Sequence, residues 1–531
     1  MSAFAGTGAL LRLALRRDRV MLPAWIAVFV LTAAMSATAT VDLYPSAVSR
    51  IEAADTINRS QALVALYGRI YDPTSIGALS MIKLGGFGAV LVAMLAVVIV
   101  VRHTRADEES GRMELVGATA VGRQAPLAAA LVVAVIANVA LALLTAAGLA
   151  ASGLPVDGSI AFGLAWAGAG LAFAAIAAVA AQLTTSARAA TGLSAGILAV
   201  VYAVRAVGDA ATGTGPRWLS WLSPIGWAQQ FRPYAGNRWW VLLITVGFAV
   251  VVAGGALALA ARRDLGTGLF PTRAGPPGAP PSLRSPLALA WRLQRGTLMG
   301  WAVAFVLLGA LVGGIASSVG DFLNNPNARD FITRLGGEKG LVDAFLAVEL
   351  SFAGIIASAY GIQAVLRLRS EEMGLRAEPV LATAVSRIRW AASHIIIAVA
   401  GTTLLMVLTG AGAGLVRAAQ VGDIGEAGRV FTAALVQLPA AWLLAAIVVA
   451  LFGLAPRFVV LGWVALAFFI LLGELGPLVD LSQWVMDLSP FAHVPRLPGG
   501  PFSAVPVVAL TAVAAVVAAT GLAGLRRRDI T

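Results

Sequence analysis

The sequence contains no cysteine and only three histidines among its 531 residues. The absence of cysteine excludes disulfide frameworks, thiol nucleophiles and metal sites built on thiolates. The histidines stand far apart, at His103, His394 and His493, and do not form the cluster that a histidine-based metal site needs. We therefore expect no resident metal and no thiol chemistry in this chain.

Charge is the second scarcity, because only 12% of the residues are charged while 59% are hydrophobic. A soluble domain carries about 25% charged residues. The mean hydropathy of +0.87 points the same way. At roughly 20 apolar residues per membrane-crossing helix, the length allows about a dozen spans and leaves no room for a large soluble domain.

Twelve apolar runs approach the length of a membrane span. They lie at residues 21–40, 84–101, 125–150, 160–182, 190–208, 239–261, 297–319, 350–366, 391–416, 430–453, 458–476 and 503–525. Backbone groups in hydrocarbon need partners within the segment, and the strict alternation of barrel strands is missing, so the runs are predicted to be helices. The fold class is therefore an all-α polytopic membrane protein with about 12 transmembrane helices. The first run is alternatively a signal peptide, because an Arg-rich stretch precedes it.

The formal net charge of +12 is explained by membrane topology. With the N-terminus in the cytoplasm, twelve spans return the C-terminus to the same side. The predicted cytoplasmic segments then hold most of the 38 lysine and arginine residues and a minority of the 26 acidic ones. This is the positive-inside bias, so no nucleic-acid partner is needed to explain the charge.

The two halves of the chain repeat each other. Residues 105–123 (RADEESGRMELVGATAVGR) resemble residues 369–387 (RSEEMGLRAEPVLATAVSR), and the other matches are residues 262–265 with 527–530, Leu-Ser-Pro at 222–224 with 488–490, and Arg16, Arg19 and Trp25 with Arg292, Arg295 and Trp301. Residues 1–265 and 286–531 are thus predicted to be parallel-related six-helix halves. Residues 266–285, rich in proline and glycine, form a cytoplasmic linker between them.

Both halves carry an acidic segment on the predicted cytoplasmic side, against the positive-inside bias. Its candidate docking residues for a soluble partner are Glu108, Glu109, Gly111, Arg112 and Glu114 in the first half and Glu371, Glu372, Gly374, Arg376 and Glu378 in the second. A short helix bearing such charges could insert into a groove on the partner. The alternative is a solvated loop helix stabilised by its own Glu–Arg pairs.

This order of elements resembles the type-2 permeases of ATP-binding-cassette (ABC) exporters: a basic interfacial helix, a span, an outer loop, a span, the charged cytoplasmic helix, and four more spans with Leu-Ser-Pro before the last. The fused two-half form is similar to actinobacterial exporters of polyketide antibiotics, which implies a bacterial plasma membrane. The resemblance implies that residues 105–123 and 369–387, here termed the first and second coupling segments, dock onto a nucleotide-binding ATPase subunit. It also implies re-entrant helices at residues 215–238 and 480–502. The second coupling segment departs from the first at Pro379, so its docking is expected to be unequal.

No phosphate-binding loop of the Gly-x-x-x-x-Gly-Lys-Ser/Thr type is present, because neither Lys83 nor Lys339 has that context. We therefore expect this chain to be a transport subunit and not an enzyme, with no cofactor of its own. ATP and magnesium would be bound by the partner ATPase, one copy for each coupling segment.

Polar residues within the predicted spans are candidates for the translocation pathway or a gate, because burying them in a membrane is costly. They are Asn138, Arg205, Gln363, Gln437 and Glu474. Arg205 and Glu474 occupy similar places in the two halves and could together close an outer gate, or each could extend to the lipid headgroups. Asn138 and Gln437 are alternatively hydrogen-bonding residues between helices.

The leading functional prediction is export of a hydrophobic or amphipathic compound, such as an antibiotic, drug or lipid-like molecule, with contact to membrane lipid along the way. The alternative is a major-facilitator-type secondary transporter, which also has six plus six spans; residues 105–112 imitate its Asp-Arg-x-Gly-Arg-Arg loop only loosely. A membrane enzyme would need a His/Asp or carboxylate cluster at an interface, which the isolated histidines do not supply.

Overall fold

A computed structural model describes residues 2–211, 215–264, 266–269, 277–321, 337–475 and 482–528. The side chain of Glu474, half of the predicted gate, lies outside the described residues. The chain divides into two compact units, Met1–Gly275 and Pro276–Thr531. The described residues form helices and no strand, and eleven helices are long and apolar enough to cross a membrane. The prediction of an all-α polytopic membrane protein is confirmed.

Twelve α-helices are formed by the described residues of the first unit. They are α1 (Thr7–Arg17), α2 (Met21–Leu43), α3 (Ala47–Arg59), α4 (Gln61–Tyr67), α5 (Ile76–Arg102), α6 (Arg105–Glu109), α7 (Arg112–Gly117), α8 (Ala125–Ala151), α9 (Val156–Leu183), α10 (Ala187–Ala210), α11 (Pro224–Gln230) and α12 (Trp240–Ala260), with a 3-10 turn at Arg217–Leu222 before α11. The segment implied to be re-entrant is thus two short helices and not a span.

The described residues of the second unit form nine α-helices. Its helices are α13 (Pro286–Asp321), α14 (Gly337–Met373), α15 (Ala377–Leu381), α16 (Arg387–Val421), α17 (Ile424–Leu435), α18 (Leu438–Leu454), α19 (Leu461–Leu475), α20 (Gln483–Met486) and α21 (Ala504–Arg527). The predicted span at 458–476 corresponds to α19, whose apolar part, Leu461–Ile470, is shorter than the eleven spans.

Serine caps fix where several spans begin. The side chains of Ser75, Ser186 and Ser386 accept hydrogen bonds from backbone amides three residues further on, at the starts of α5, α10 and α16. Such caps satisfy backbone donors that the first helical turn leaves free. The chain can therefore turn sharply as it enters these three helices.

Small residues set the closest helix contacts within each unit. A Cβ atom placed on Gly163 of α9 would lie 2.4 Å from the carbonyl oxygen of Ala142 in α8. In the second unit, a Cβ on Gly453 of α18 would lie 1.8 Å from the carbonyl oxygen of Gly521 in α21. Without a hydrophobic driving force between helices in lipid, backbone approach of this kind supplies the packing energy.

Replacing Gly453 with alanine is expected to destabilise the second unit by about 1–3 kcal/mol, because a backbone carbonyl cannot move aside as a flexible side chain does. The measurement is thermal unfolding of the detergent-solubilised chain. Gly300→Ala in α13 is the matched control, since no atom lies within 4 Å of a Cβ placed there. Equal melting temperatures for the two variants would contradict the close contact.

Candidate functional site

The first coupling segment is two short helices and not one. α6 follows α5 after two residues, and α7 begins after Gly111, whose φ of +73° lies in the left-handed region that favours glycine. In the second coupling segment α14 continues to Met373, Leu375 takes a φ of +55°, and α15 follows. Both predicted single helices are thus interrupted where the chain changes direction.

Glu108 is the centre of an ion-pair cluster that joins α6 to the end of the sixth span. Its carboxylate accepts two hydrogen bonds from the guanidinium of Arg263, at 2.7 and 2.8 Å, and one from the backbone amide of Gly266 at 2.6 Å. Arg105 Nη1 lies 3.1 Å from the same carboxylate. The Glu108 side chain is only 6% exposed and that of Arg263 11%, so this is a nearly buried, bidentate pair. We call Glu108, Arg105 and Arg263 the first clamp.

The second unit repeats this cluster at the equivalent positions. Glu372 pairs with Arg528 at 2.7 Å and with Arg369 at 3.0 Å, and its side chain is 2% exposed. We call these three residues the second clamp. In both units the carboxylate comes from the coupling segment and its arginine partner from the repeated motif after the last long helix. The clamp is therefore part of the duplication.

In each unit a further arginine donates a hydrogen bond to the backbone of the clamp. Arg123, the last residue of the first coupling segment, donates to the backbone carbonyl of Arg263. Arg387 ends the second coupling segment and donates to the carbonyl of Arg528 at 2.6 Å. In each unit both ends of the coupling segment are therefore bonded to the residue that follows the last long helix.

The basic helix α1, predicted to lie at the membrane interface, is bonded to the first coupling segment. Asp18, just after α1, is fully buried and contacts His103 Nε2 at 2.5 Å and Arg102 Nε at 3.3 Å. Arg17 donates to Asp107 at 2.6 Å, and this hydrogen bond raises the pKa of Arg17. α1, α5 and α6 are thereby linked through charged groups.

The structure divides the ten predicted docking residues by exposure. Glu109, Arg112, Glu114, Gly374, Arg376 and Glu378 are exposed, Gly111 is half-buried, and Glu108, Glu371 and Glu372 have side chains no more than 7% exposed. Glu371 pairs with Arg367 at 2.7 Å and Arg376 at 3.2 Å. For these three carboxylates the structure shows the alternative interpretation, internal Glu–Arg pairing, while their contact with a partner stays a prediction.

Sequence reasoning missed the exposed apolar side chains of the coupling segments. Leu115 in α7 is 77% exposed, and in the second segment Met373 is 65% and Leu375 60% exposed. The available signal was Leu115 itself, a leucine within a strongly charged segment that is predicted to lie in the cytoplasm. Exposed apolar groups rimmed by charges are typical of protein interaction sites.

Arg205 is fully buried and therefore does not extend to the headgroups. Its guanidinium lies 3.5 Å from Asp209 Oδ2, one helical turn further along α10, and donates to the carbonyl oxygens of Ala65 and Leu66. It also lies 4.4 Å from the ring centre of Tyr202. Within the first unit Arg205 thus fastens α10 to the end of α4, and its role in a gate stays a prediction.

The amide residues of the predicted pathway occupy different environments. Asn138 is buried, and its amide donates within its own helix to Ala134 at 2.8 Å instead of to another helix. Gln363 is exposed and accepts a hydrogen bond from Trp301 Nε1 at 2.9 Å. Gln437 is buried at the start of α18. A role for these three residues in translocation stays a prediction.

Apolar helices of spanning length and charged segments paired with the end of the last long helix in each unit are features of a polytopic membrane permease. This chain belongs to a family described as multidrug efflux system permease Rv1217c, C-terminal domain, whose model matches at residues 8–261 and again at 283–526. The chain is 46% identical over 532 residues to the multidrug efflux system permease protein Rv1217c of Mycobacterium tuberculosis (strain ATCC 25618 / H37Rv), covering 100% of this chain and 96% of that protein. The repeated match confirms the duplication, and the family confirms the prediction of an efflux permease.

Proposed function

We propose that this chain is the membrane subunit of an ATP-driven exporter in the bacterial plasma membrane, with both termini in the cytoplasm. It moves a hydrophobic or amphipathic compound out of the cell, and a separate ABC-type ATPase supplies the energy. The relative's description as a multidrug efflux system permease supports efflux of drug-like molecules. Apolar spans with few buried charges also favour a lipophilic cargo.

The single observation that carries the proposal is the duplicated clamp. It pairs one buried carboxylate in each coupling segment with arginines. Arg112, Glu114 and Leu115 on α7 remain exposed. A short helix flanked by these ionic contacts, with an exposed apolar side chain and charges beside it, has the chemistry needed to enter a groove on a soluble subunit. We infer that these exposed residues contact the ATPase.

The clamp also connects the first coupling segment to the spans that would move during transport. The first coupling segment is continuous with α5 and is bonded through Arg263 to the end of α12, so a displacement of α6 and α7 is transmitted to two spans at once. Closure of the ATPase around ATP would thereby shift these spans and alternate the access of the pathway.

Two coupling segments imply two ATPase copies, which would hold ATP and magnesium. The second segment presents Met373 and Leu375 where the first presents Leu115, so the two docking contacts are unequal. The permease itself contributes no phosphate-binding loop, and its part is to hold the ATPase subunits at the coupling segments.

Inverted membrane vesicles that contain the chain and its ATPase are expected to accumulate the lipophilic dye Hoechst 33342 only when ATP is supplied, and vanadate should block the uptake. A Walker-lysine variant of the ATPase is the control and should abolish uptake. Uptake that follows a proton gradient and needs no ATP would establish the alternative, a secondary transporter of the major-facilitator type.

A further inference from the structure

The first unit contains a cavity at the end of α5 and α9 opposite the first clamp. The space inside it that a water-sized molecule can occupy is about 60 Å³, which admits a small polar group and not a whole lipid or drug. Four aromatic side chains form its walls: Tyr67, Tyr71, Phe162 and Trp166. Trp166 is 1% exposed and its indole donates to the carbonyl of Leu84 at 3.0 Å, so this wall is held rigidly.

Two polar groups in the cavity lining have unused hydrogen-bonding atoms. Arg232 Nε and Gln229 Oε1 are buried and have no hydrogen-bond partner among the described residues. Gln229 uses its amide nitrogen on the carbonyl of Tyr67 at 2.7 Å. Leaving a buried donor or acceptor unpaired is costly, and a ligand that accepts from Arg232 and donates to Gln229 would remove that cost.

The backbone holds Arg232 in this position. Its φ is +54° and that of Tyr234 is +61°, which is unusual for residues with a side chain. The Tyr234 hydroxyl lies 3.0 Å from Ser159 Oγ in α9, and the Arg232 guanidinium lies 3.9 Å from the ring centre of Tyr71. Strain of this kind is often found where a side chain is aimed at a ligand.

The electrostatics of the cavity favour an anion. Arg69 and Arg232 line it, and none of the lining residues that the structure describes is Asp or Glu. Arg69 is engaged with the carbonyl oxygens of Asp209 and Ala211, so Arg232 carries the available donor. Burial lowers the pKa of Arg232, a cost that a bound anion would offset.

We propose that this cavity binds an amphipathic anion. Its carboxylate or phosphate contacts Arg232, a hydroxyl or amide hydrogen is donated to Gln229 Oε1, and its hydrophobic part extends out of the cavity past the aromatic side chains. The chemistry is shared by anionic lipid headgroups and by single-chain amphiphiles such as fatty acids.

The test is native mass spectrometry of the full-length chain in nonionic detergent. The probes are phosphatidylglycerol for the lipid source and oleate for the single-chain source, each with an uncharged counterpart, diacylglycerol or oleyl alcohol. Arg232→Gln removes the anion contact, and Gly85→Leu fills the cavity, since no atom lies within 4 Å of a Cβ on this lining glycine. Arg217→Gln is the matched control, an exposed arginine outside the lining.

At least one anionic probe is expected to bind one per chain and at least about tenfold more tightly than its uncharged counterpart. Both Arg232→Gln and Gly85→Leu should weaken it by about tenfold or more, while Arg217→Gln leaves it unchanged. Preference for phosphatidylglycerol or for oleate identifies the source. Equal binding of charged and uncharged probes, or unchanged binding in either cavity variant, would overturn the proposal. The measurement needs no ATPase and so stands apart from the docking proposal.

Discussion

A chain in which Arg263 is replaced by glutamate is expected to lose ATP-driven transport by about tenfold or more. The substitution removes the bidentate partner of Glu108 and sets two carboxylates against each other in a nearly buried site. Breaking a buried pair costs about 3–5 kcal/mol. The hydrogen bond at the other end of the coupling segment is too weak to offset this loss. α6 should then separate from the end of α12, so that motion of the coupling segment no longer reaches the sixth span.

The neighbouring residue provides a matched control, because Arg262 is exposed whereas Arg263 is not. Arg262→Glu makes the same change in charge and should transport nearly as well as the unaltered chain. Arg263→Lys keeps the charge but not the bidentate geometry, so an intermediate rate is expected. The readouts are dye uptake and ATP hydrolysis by the same vesicles, with continued hydrolysis and lost uptake as the signature of uncoupling.

The duplication extends the experiment to the second unit. Arg528→Glu should act like Arg263→Glu, and Arg527→Glu, at an exposed residue, like Arg262→Glu. If Arg263→Glu and Arg262→Glu transport equally well, the clamp has no part in coupling. A lower melting temperature accompanied by loss of both hydrolysis and uptake would show a purely structural role.

The spans could be predicted because hydropathy alone determines them. The apolar run at 125–150 is α8, Ala125–Ala151, and the run at 160–182 lies within α9, Val156–Leu183. The clamp could not be predicted in the same way. Its three members, Glu108, Arg105 and Arg263, belong to recognised repeats, but the pairing of Glu108 with Arg263, so far apart in the sequence, depends on how the spans pack.

Local rules could have found the partner of Arg205. Asp209 lies one helical turn further along, where opposite charges commonly pair, but it falls just beyond the predicted span at 190–208, and the predicted gate paired Arg205 with a residue of the other half instead. The arrangement of Arg232 had no such signal, since a positive φ at an arginine is not encoded by any turn residue expected there. Sequence therefore predicts the membrane-spanning scaffold better than the polar contacts that act within it.

Replacing Leu115 with aspartate is expected to weaken binding of the ATPase to the first coupling segment by about thirtyfold, the effect of losing about 2 kcal/mol at an interface centre. Leu115 is 77% exposed, so the variant should fold normally. The measurement is the ratio of ATPase to permease in the purified complex. Leu43→Asp is the control, a leucine 69% exposed at the end of α2 and away from both coupling segments.

The second segment decides whether two docking contacts exist. Leu375→Asp is well suited to it, because aspartate tolerates the left-handed backbone of this position better than leucine does. If each segment holds one ATPase, either single variant should leave about one copy per chain at low ATPase concentration, and the double variant should leave none. Full binding in the double variant would place the ATPase elsewhere. Loss of both copies in Leu115→Asp alone would instead mean that the two ATPase subunits bind cooperatively, with the first segment as the dominant contact.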